Sequence, residues 1–307
     1  MELHWDVLIA GGGPAGYSAA LYCARAGLRT LVLEQLSAGG QIALTTQVDN
    51  YPGFPEGIDG FELGQRMRQG AERFGARTQL AEVTALELNR PLKTVHTSAG
   101  VFQGRAVIVA TGANPRRLGL PKEKALTGRG VSYCAACDGM FYRGKTVAVV
   151  GGGSTAAADA LLLSRLCKKV ILIHRRDTLR AASIEHQALL EAPNVEFRWN
   201  TTVIQFLGSD RLLGLRLRDL LSGAEAELPC DGVFLCIGRV PATALLQGQL
   251  ELDSAGYLIA DETTRTSIPG VFAAGDVRTK ALRQAVTAAA DGAVAAHYAE
   301  EYLRGAQ

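Results

Sequence analysis

Cys134-Ala135-Ala136-Cys137-Asp138 is the segment of this 307-residue sequence whose residue types and spacing point most directly to chemistry. Two cysteines separated by two residues can cycle between dithiol and disulfide, and this spacing often lowers one thiol pKa. The same spacing is half of a zinc site, but structural zinc usually takes four ligands, and no second CxxC or CxxH stands in the sequence. A redox dithiol is the reading, with zinc and coincidence as the alternatives. Asp138 is placed to protonate a departing thiolate or, more plainly, to cap a turn at Gly139. Cys23, Cys167 and Cys236 fall in apolar runs and read as packing residues, whereas Cys230, beside Asp231, is a candidate for partial exposure. His4 with Trp5 and His297 with Tyr298 read as terminal packing.

Composition narrows the setting of this chemistry. With 32 Lys+Arg against 30 Asp+Glu and a net charge of +2, no basic field advertises nucleic acid or membrane as a partner. The apolar stretches, such as Thr146 to Val150 and Ala157 to Leu166, are far shorter than a membrane helix needs. Met1 to Asp6 carries no leader pattern, so a cytoplasmic enzyme is expected. In that compartment six cysteines do not read as a structural disulfide framework. The length suits about two domains.

The elements that must position the dithiol are visible as a repeat. Val7-Leu8-Ile9-Ala10 runs into Gly11-Gly12-Gly13-Pro14-Ala15-Gly16 and an Ala-rich stretch ending at Gly27, which predicts a strand, a glycine turn and a helix. Gly11, Gly13 and Gly16 match GxGxxG, which allows a tight turn, close approach to a pyrophosphate and close helix-to-strand packing. A second strand, Thr30 to Leu33, ends at Glu34, placed to bind a ribose hydroxyl. The pattern returns at Val147 to Val150, followed by Gly151-Gly152-Gly153-Ser154-Thr155-Ala156, a helix to about Leu166 and a strand from Val170 to Ile173. One such motif is weak; two in the same register predict two dinucleotide sites. At the offset where the first copy has Glu34, the second has His174, followed by Arg175, Arg176 and Arg180. An acid repels a 2′-phosphate and a basic group pairs with it, so the second site is expected to prefer NADP.

Each copy closes on a buried strand and glycine turn, Val107 to Gly112 and Val233 to Gly238, after alternating runs near residues 80 to 103 and 195 to 230 that predict small antiparallel sheets. Beyond Gly238, the run Thr266 to Asp276 leads into an Ala-rich helix from about Arg283. The fold class expected is α/β, with two Rossmann-like three-layer dinucleotide-binding domains, the second inserted into the first. The expected domains are 1–113 with 243–307, and 114–242.

On these motifs the chain resembles the bacterial-type, low-molecular-weight thioredoxin reductases, class II pyridine nucleotide-disulfide oxidoreductases. The resemblance runs nearly end to end: Gly39-Gly40-Gln41, Asn50-Tyr51-Pro52-Gly53, Ala110-Thr111-Gly112-Ala113, Cys134 to Asp138, Gly151 to Thr155, His174 to Asp177 with Arg180-Ala181, Gly275-Asp276-Val277 and Arg283-Gln284-Ala285. It implies FAD on the outer domain, with Gly11, Gly13, Pro14, Ala15 and Gly16 at the pyrophosphate, Glu34 at the ribose and Asp276 at the ribityl chain. Gln35, Gly40, Gln41, Asn50, Thr111, Gly112, Arg283, Gln284 and Ala285 belong to the same implied site. For NADPH it implies Gly151, Gly153, Ser154, Thr155, His174, Arg175, Arg176, Arg180, Ile237 and Gly238. By motif position Cys137 faces the flavin, Cys134 attacks the partner disulfide and Asp138 is the acid/base, while Arg129, Met140 and Phe141 fall where the family docks thioredoxin. A homodimer and a thioredoxin-like protein partner are also implied.

Two departures stand out. Residues 158 and 159 are Ala and Asp where the family usually has two acids, and Val240-Pro241-Ala242-Thr243 lacks the frequent Asn after Pro. The expected activity is thioredoxin-disulfide reduction, with electrons passing from NADPH through FAD and the Cys pair. The nicotinamide site and the Cys pair share one inserted domain yet serve one flavin, so a rotation about the two crossings is expected. A flavin-dependent dithiol oxidase using oxygen is the nearest rival, and since it needs no NADPH, Arg175, Arg176 and Arg180 argue against it; a redox-sensing nucleotide-binding protein is the next, and it predicts nucleotide binding with negligible turnover on any disulfide.

Overall fold

The computed structural model describes residues 4–45, 47–180 and 183–305, with the side chains of 183–185 outside that description. The chain divides into two compact units, Met1–Asn114 with Val240–Gln307, and Pro115–Arg239.

In the first unit a seven-stranded sheet is built on His4–Ala10, which pairs in parallel with Thr30–Glu34 on one side and Gly100–Val109 on the other. Arg77–Leu80 extends the sheet beyond Thr30–Glu34, and Val271–Ala273 pairs in parallel with the end of Gly100–Val109. The continuous apolar run Val7 to Ala10 follows from burial on both faces. Val7 and Ile9 join a core with Tyr17, Ala20 and Ala295 from the helices Pro14–Arg25 and Ala285–Gly305. Leu8 joins the opposite core with Leu246, Leu250 and Leu258. Each fully buried Leu or Ile in these layers stabilises the unit by about 1.5–3 kcal/mol. The antiparallel strands Val83–Glu87 and Lys93–Thr97 continue the main sheet through Gly100–Val109 and do not form a separate small sheet, because that long strand pairs with the hairpin over its first half and with Val271–Ala273 over its second.

The second unit repeats the plan. A five-stranded parallel sheet runs in the order Val195–Arg198, Lys169–Ile173, Thr146–Val150, Gly232–Leu235, Val131–Ser132. The helices Ser154–Ser164 and Ser183–Glu191 cover one face, and a separate antiparallel meander, Thr201–Leu207, Gly214–Asp219 and Glu225–Pro229, covers the other. The two connecting segments, Ala113–Pro115 and Arg239–Pro241, pair with each other as a two-stranded sheet. Among the described residues no helix is long and apolar enough to cross a membrane.

Candidate active site

In the first unit the strand His4–Ala10 ends at Gly11, whose φ of 108° turns the chain sharply into the helix. Pro14 occupies the first helical turn, where its fixed φ is already helical and no N–H is lost. A Cβ on Gly16 would lie 1.9 Å from the Gly11 carbonyl oxygen, so only glycine lets the helix come this close. No side chain caps the helix N-terminus, which leaves its first N–H groups for an anion. Gly40 backs onto Gly13, and a Cβ on Gly13 would meet only the Gly39 carbonyl oxygen, at 3.9 Å.

Around this turn stand the other expected nucleotide residues. The Glu34 carboxylate accepts N–H bonds from Gly12 at 2.6 Å and Leu36 at 3.1 Å, which fix it beside the glycine turn, while Gln35 is exposed. Gln41 donates to Asn114 at 2.8 Å, the Thr111 hydroxyl donates to the Ala242 carbonyl at 2.9 Å, and Gly112 takes a φ of 73°. Asn50 donates to Gln284 at 3.1 Å, tying two sequence-distant expected residues together. Half-buried Asp276 has its carbonyl bound by Arg283, whose guanidinium lies 4.0 Å from the centroid of the Tyr257 ring, and Ala285 opens the last helix. Near Asp276, and unforeseen from the sequence, Asp291 gathers the N–H of Gly275, Nε and Nη2 of the Arg278 guanidinium and the Lys280 ammonium, all at 2.8–2.9 Å. An uncapped helix start and a glycine turn with room for close approach suit the pyrophosphate of a dinucleotide, and a fixed carboxylate suits a ribose hydroxyl, so these residues fit FAD.

The second glycine turn is built alike. Nothing lies within 4 Å of a Cβ on Gly153, Ser154 and Thr155 are exposed at an uncapped helix start, and Gly151 passes close to the Cys236 carbonyl. Arg175, Arg176 and Arg180 are exposed, and the Arg180 N–H donates to the Gly152 carbonyl at 2.6 Å, which draws the arginine segment against the glycine turn. His174 differs from them. It is 5% exposed, its ring lies over Gly152, where a Cβ would meet it at 2.1 Å, and it meets Trp199 edge-on. Burial, then the neighbouring Arg180, Arg176 and Arg175, lowers its pKa, so it stands neutral while the three arginines carry the positive charge of this segment. Its Nε2 has no protein partner and is a buried polar atom left for a ligand. Ile237 is half-buried and Gly238, with a φ of 107°, accepts the Arg116 N–H at 2.9 Å. Ala181 lies outside the described residues.

Also in the second unit, Cys134 and Cys137 are joined as a disulfide with their Cα atoms 5.3 Å apart. Cys134 caps the four-residue helix Ala135–Asp138, whose N–H groups at Cys137 and Asp138 turn back to the Cys134 carbonyl. Ser132, two residues upstream on its strand, accepts the Cys134 N–H at 3.1 Å and donates its hydroxyl to Asp138 Oδ2 at 2.6 Å. Burial raises the Asp138 carboxyl above the ordinary carboxylate range, partly offset by the Ser132 hydroxyl. A carboxyl held beside the disulfide and inclined to keep its proton is suited to proton transfer with a sulfur. Among the described residues no group of three His, Cys, Asp or Glu side chains is arranged to hold a metal.

Other groups fall where packing puts them. Cys230 is 6% exposed and its thiol is pushed up to about 12 by burial and Asp231, so the expected partial exposure is not found: the strand following it pulls the side chain into the core. Arg129, Met140 and Phe141 are exposed, and Arg129 and Phe141 line a cavity of about 480 Å³ with Lys145 and Arg211. Ser132 and Asp291 carried no sequence signal, since neither belongs to a spaced motif.

Residues 5–292 match the family described as pyridine nucleotide-disulphide oxidoreductase. A thioredoxin reductase of Streptomyces clavuligerus is 50% identical over 301 residues, covering 97% of this chain and 94% of the relative. The crystal structure of thioredoxin reductase from Streptococcus pyogenes MGAS5005 is 40% identical, with a TM-score of 0.92 over 99% of this chain and 100% of that one. The Lactococcus lactis thioredoxin reductase in its FR conformation is 39% identical, with a TM-score of 0.69 over 98% of this chain and 99% of that one. With the paired glycine turns and the CxxCD turn in place, the chain belongs to the pyridine nucleotide-disulphide oxidoreductases, among the thioredoxin reductases.

Proposed function

We propose that the protein carries electrons from NADPH through FAD to the Cys134–Cys137 pair and on to the disulfide of a thioredoxin-like protein. The outer unit holds FAD at Gly11–Gly16, Glu34 and Asp276, and the inserted unit holds NADPH at Gly151–Thr155 with Arg175, Arg176 and Arg180. FAD, when bound, supplies the two-electron transfer between nicotinamide and disulfide. The grouping of the disulfide with Asp138 and Ser132 on one turn is the observation that carries the reading.

From the reduced pair, the Cys134 thiolate attacks one sulfur of the partner disulfide, forming a mixed disulfide, and the partner's other sulfur leaves as a thiolate and takes the proton of the Asp138 carboxyl, leaving a carboxylate. Cys137 then gives up its proton toward Asp138 and attacks the Cys134 sulfur. The bond from Cys134 to the partner breaks as the intramolecular disulfide closes, the partner's second sulfur leaves as a thiolate that takes a proton from water, and two electrons have moved from one pair to the other. Ser132 keeps the Asp138 carboxyl oriented throughout. The two TM-scores above, so unequal at equal identity and coverage, support the expectation that such chains take more than one orientation of their two units. A homodimer in the cytoplasm belongs to the same reading; sedimentation of the holoenzyme as a monomer would remove the dimer from it. No feature of the chain favours the dithiol oxidase.

The test is NADPH oxidation by the holoenzyme against a panel of thioredoxin-like proteins, preceded by anaerobic mixing with NADPH. Rapid bleaching of the flavin and reduction of at least one partner are expected. Bleaching with no partner reduced would strike out thioredoxin and leave a disulfide reductase, and an unbleached flavin would refute the whole reading.

A further inference from the structure

The helix Ala135–Asp138 is four residues long, too short to persist by its own hydrogen bonds once the disulfide that closes it is reduced. Something else must hold the two sulfurs together in the dithiol state. Ser132 holds the Cys134 N–H from the strand side. From the other side comes Asp159, on the helix Ser154–Ser164, whose carboxylate accepts the N–H of Ala135, the residue directly after Cys134. That carboxylate also accepts the thiol of Cys236 at 3.0 Å, the residue directly after the strand Gly232–Leu235. Ala135 is 1% exposed and Cys236 7%, so neither contact competes with bulk water.

We infer that Asp159 is a positioning residue for the redox pair, pinning the Cys134–Cys137 turn through the Ala135 N–H, with the Cys236 thiol as the donor that orients its carboxylate. The surroundings keep both groups in the required protonation states. Burial, then the Asp159 charge, raises the Cys236 thiol well above its ordinary value, so it stays a donor and is no nucleophile. Burial raises the Asp159 carboxyl, and the Cys236 thiol, the Ala135 N–H and Arg239 act against that rise. The pinned turn keeps the reduced sulfurs at high effective concentration, which favours closing the disulfide. Asp159 is thus tied to the dithiol turn, and it is the one acid of the two adjacent positions that this chain retains.

This inference deepens the proposed function and rests on it for the role of the pair, but its test needs neither NADPH nor a protein partner. The holoenzyme is equilibrated anaerobically with reduced and oxidised glutathione, and the fraction of Cys134 and Cys137 that is alkylatable is measured by mass. Asp159→Leu, which removes the acceptor, should lower the equilibrium constant for closing the disulfide at least tenfold, a rise in potential of about 30 mV for two electrons. Asp159→Asn, which keeps an acceptor and drops the charge, should stay within threefold of the wild type. Cys236→Ser should stay close to the wild type, and Cys236→Val should move toward Asp159→Leu. Where Asp159→Leu fails to fold, Asp159→Ala gives the same reading, with flavin content and melting temperature as the check. Truncation that leaves the constant within threefold, or Asp159→Asn falling as far as Asp159→Leu, overturns the inference; equal behaviour of Cys236→Ser and Cys236→Val overturns the part given to Cys236. A wild-type pair that equilibrates with glutathione in a protein whose flavin NADPH does not bleach would refute the function alone.

Discussion

Replacing Asp291 by Ala should destabilise the outer unit and loosen its flavin site together. The Arg278 and Lys280 side chains are 5% and 8% exposed, and Asp291, itself 10% exposed, is their common counter-ion. Removing one partner of a buried ion pair costs about 3–5 kcal/mol, because the remaining charge is left uncompensated away from water. For a unit of this size each kcal/mol lowers the melting temperature by about 2–4 °C, so a fall of about 6–20 °C is expected. The Gly275 N–H loses its acceptor in the same step, directly before Asp276, so flavin should dissociate more readily. Burial, the largest single influence on the Asp291 carboxyl, acts to raise it, but the hydrogen bonds and charges of Arg278 and Lys280 together outweigh burial and hold it below its ordinary value. A lowered folded pKa stabilises above the unfolded value of about 3.9 and is lost as the pH falls through the folded one. The gap between variant and wild type should therefore be full at neutral pH and close in acid. Thermal unfolding followed by circular dichroism and by release of flavin fluorescence reads both effects. A triple variant, Asp291→Leu with Arg278→Met and Lys280→Met, should recover most of the loss, since apolar groups replace the whole buried set. A melting temperature within 3 °C of the wild type with full flavin content in Asp291→Ala would show that the network is not energetically coupled to the fold.

Asp138→Asn should slow disulfide exchange with a protein partner by about 10²–10⁴-fold, measured by stopped flow, while making the inserted unit more stable to urea at neutral pH. The stability gain should open as the pH rises from the unfolded carboxylate range through the raised folded value, because burial penalises only the ionised form; equal turnover or lower stability would contradict this account. An engineered crosslink between the two units should leave one half-reaction intact and stop steady-state turnover, and undiminished turnover would exclude the exchange by rotation.

The glycine turns, their offset partners Glu34 and His174 with the arginines that follow it, and the CxxCD segment were legible from the sequence because each is local. A strand, a sharp turn and a helix N-terminus impose residue types at fixed short spacings, and two copies in one register make the signal specific. A spacing alone left Asp138 undecided between a turn cap and a proton carrier; its burial and the Ser132 hydroxyl supply the reason for the second role. Distant approaches had no such signature. Cys236 reaches Asp159 across 77 residues, and the two meet only because the end of the strand Gly232–Leu235 comes up against the middle of the helix after the second glycine turn. His174 read as one more positive charge in a basic run, yet the chain direction after Ile173 turns its ring inward over Gly152 while the following arginines stay in water. Local backbone chemistry therefore determined which residues make nucleotide turns and a dithiol. Only packing decided which titratable groups lose their water, and with it which of them hold, carry or refuse a proton.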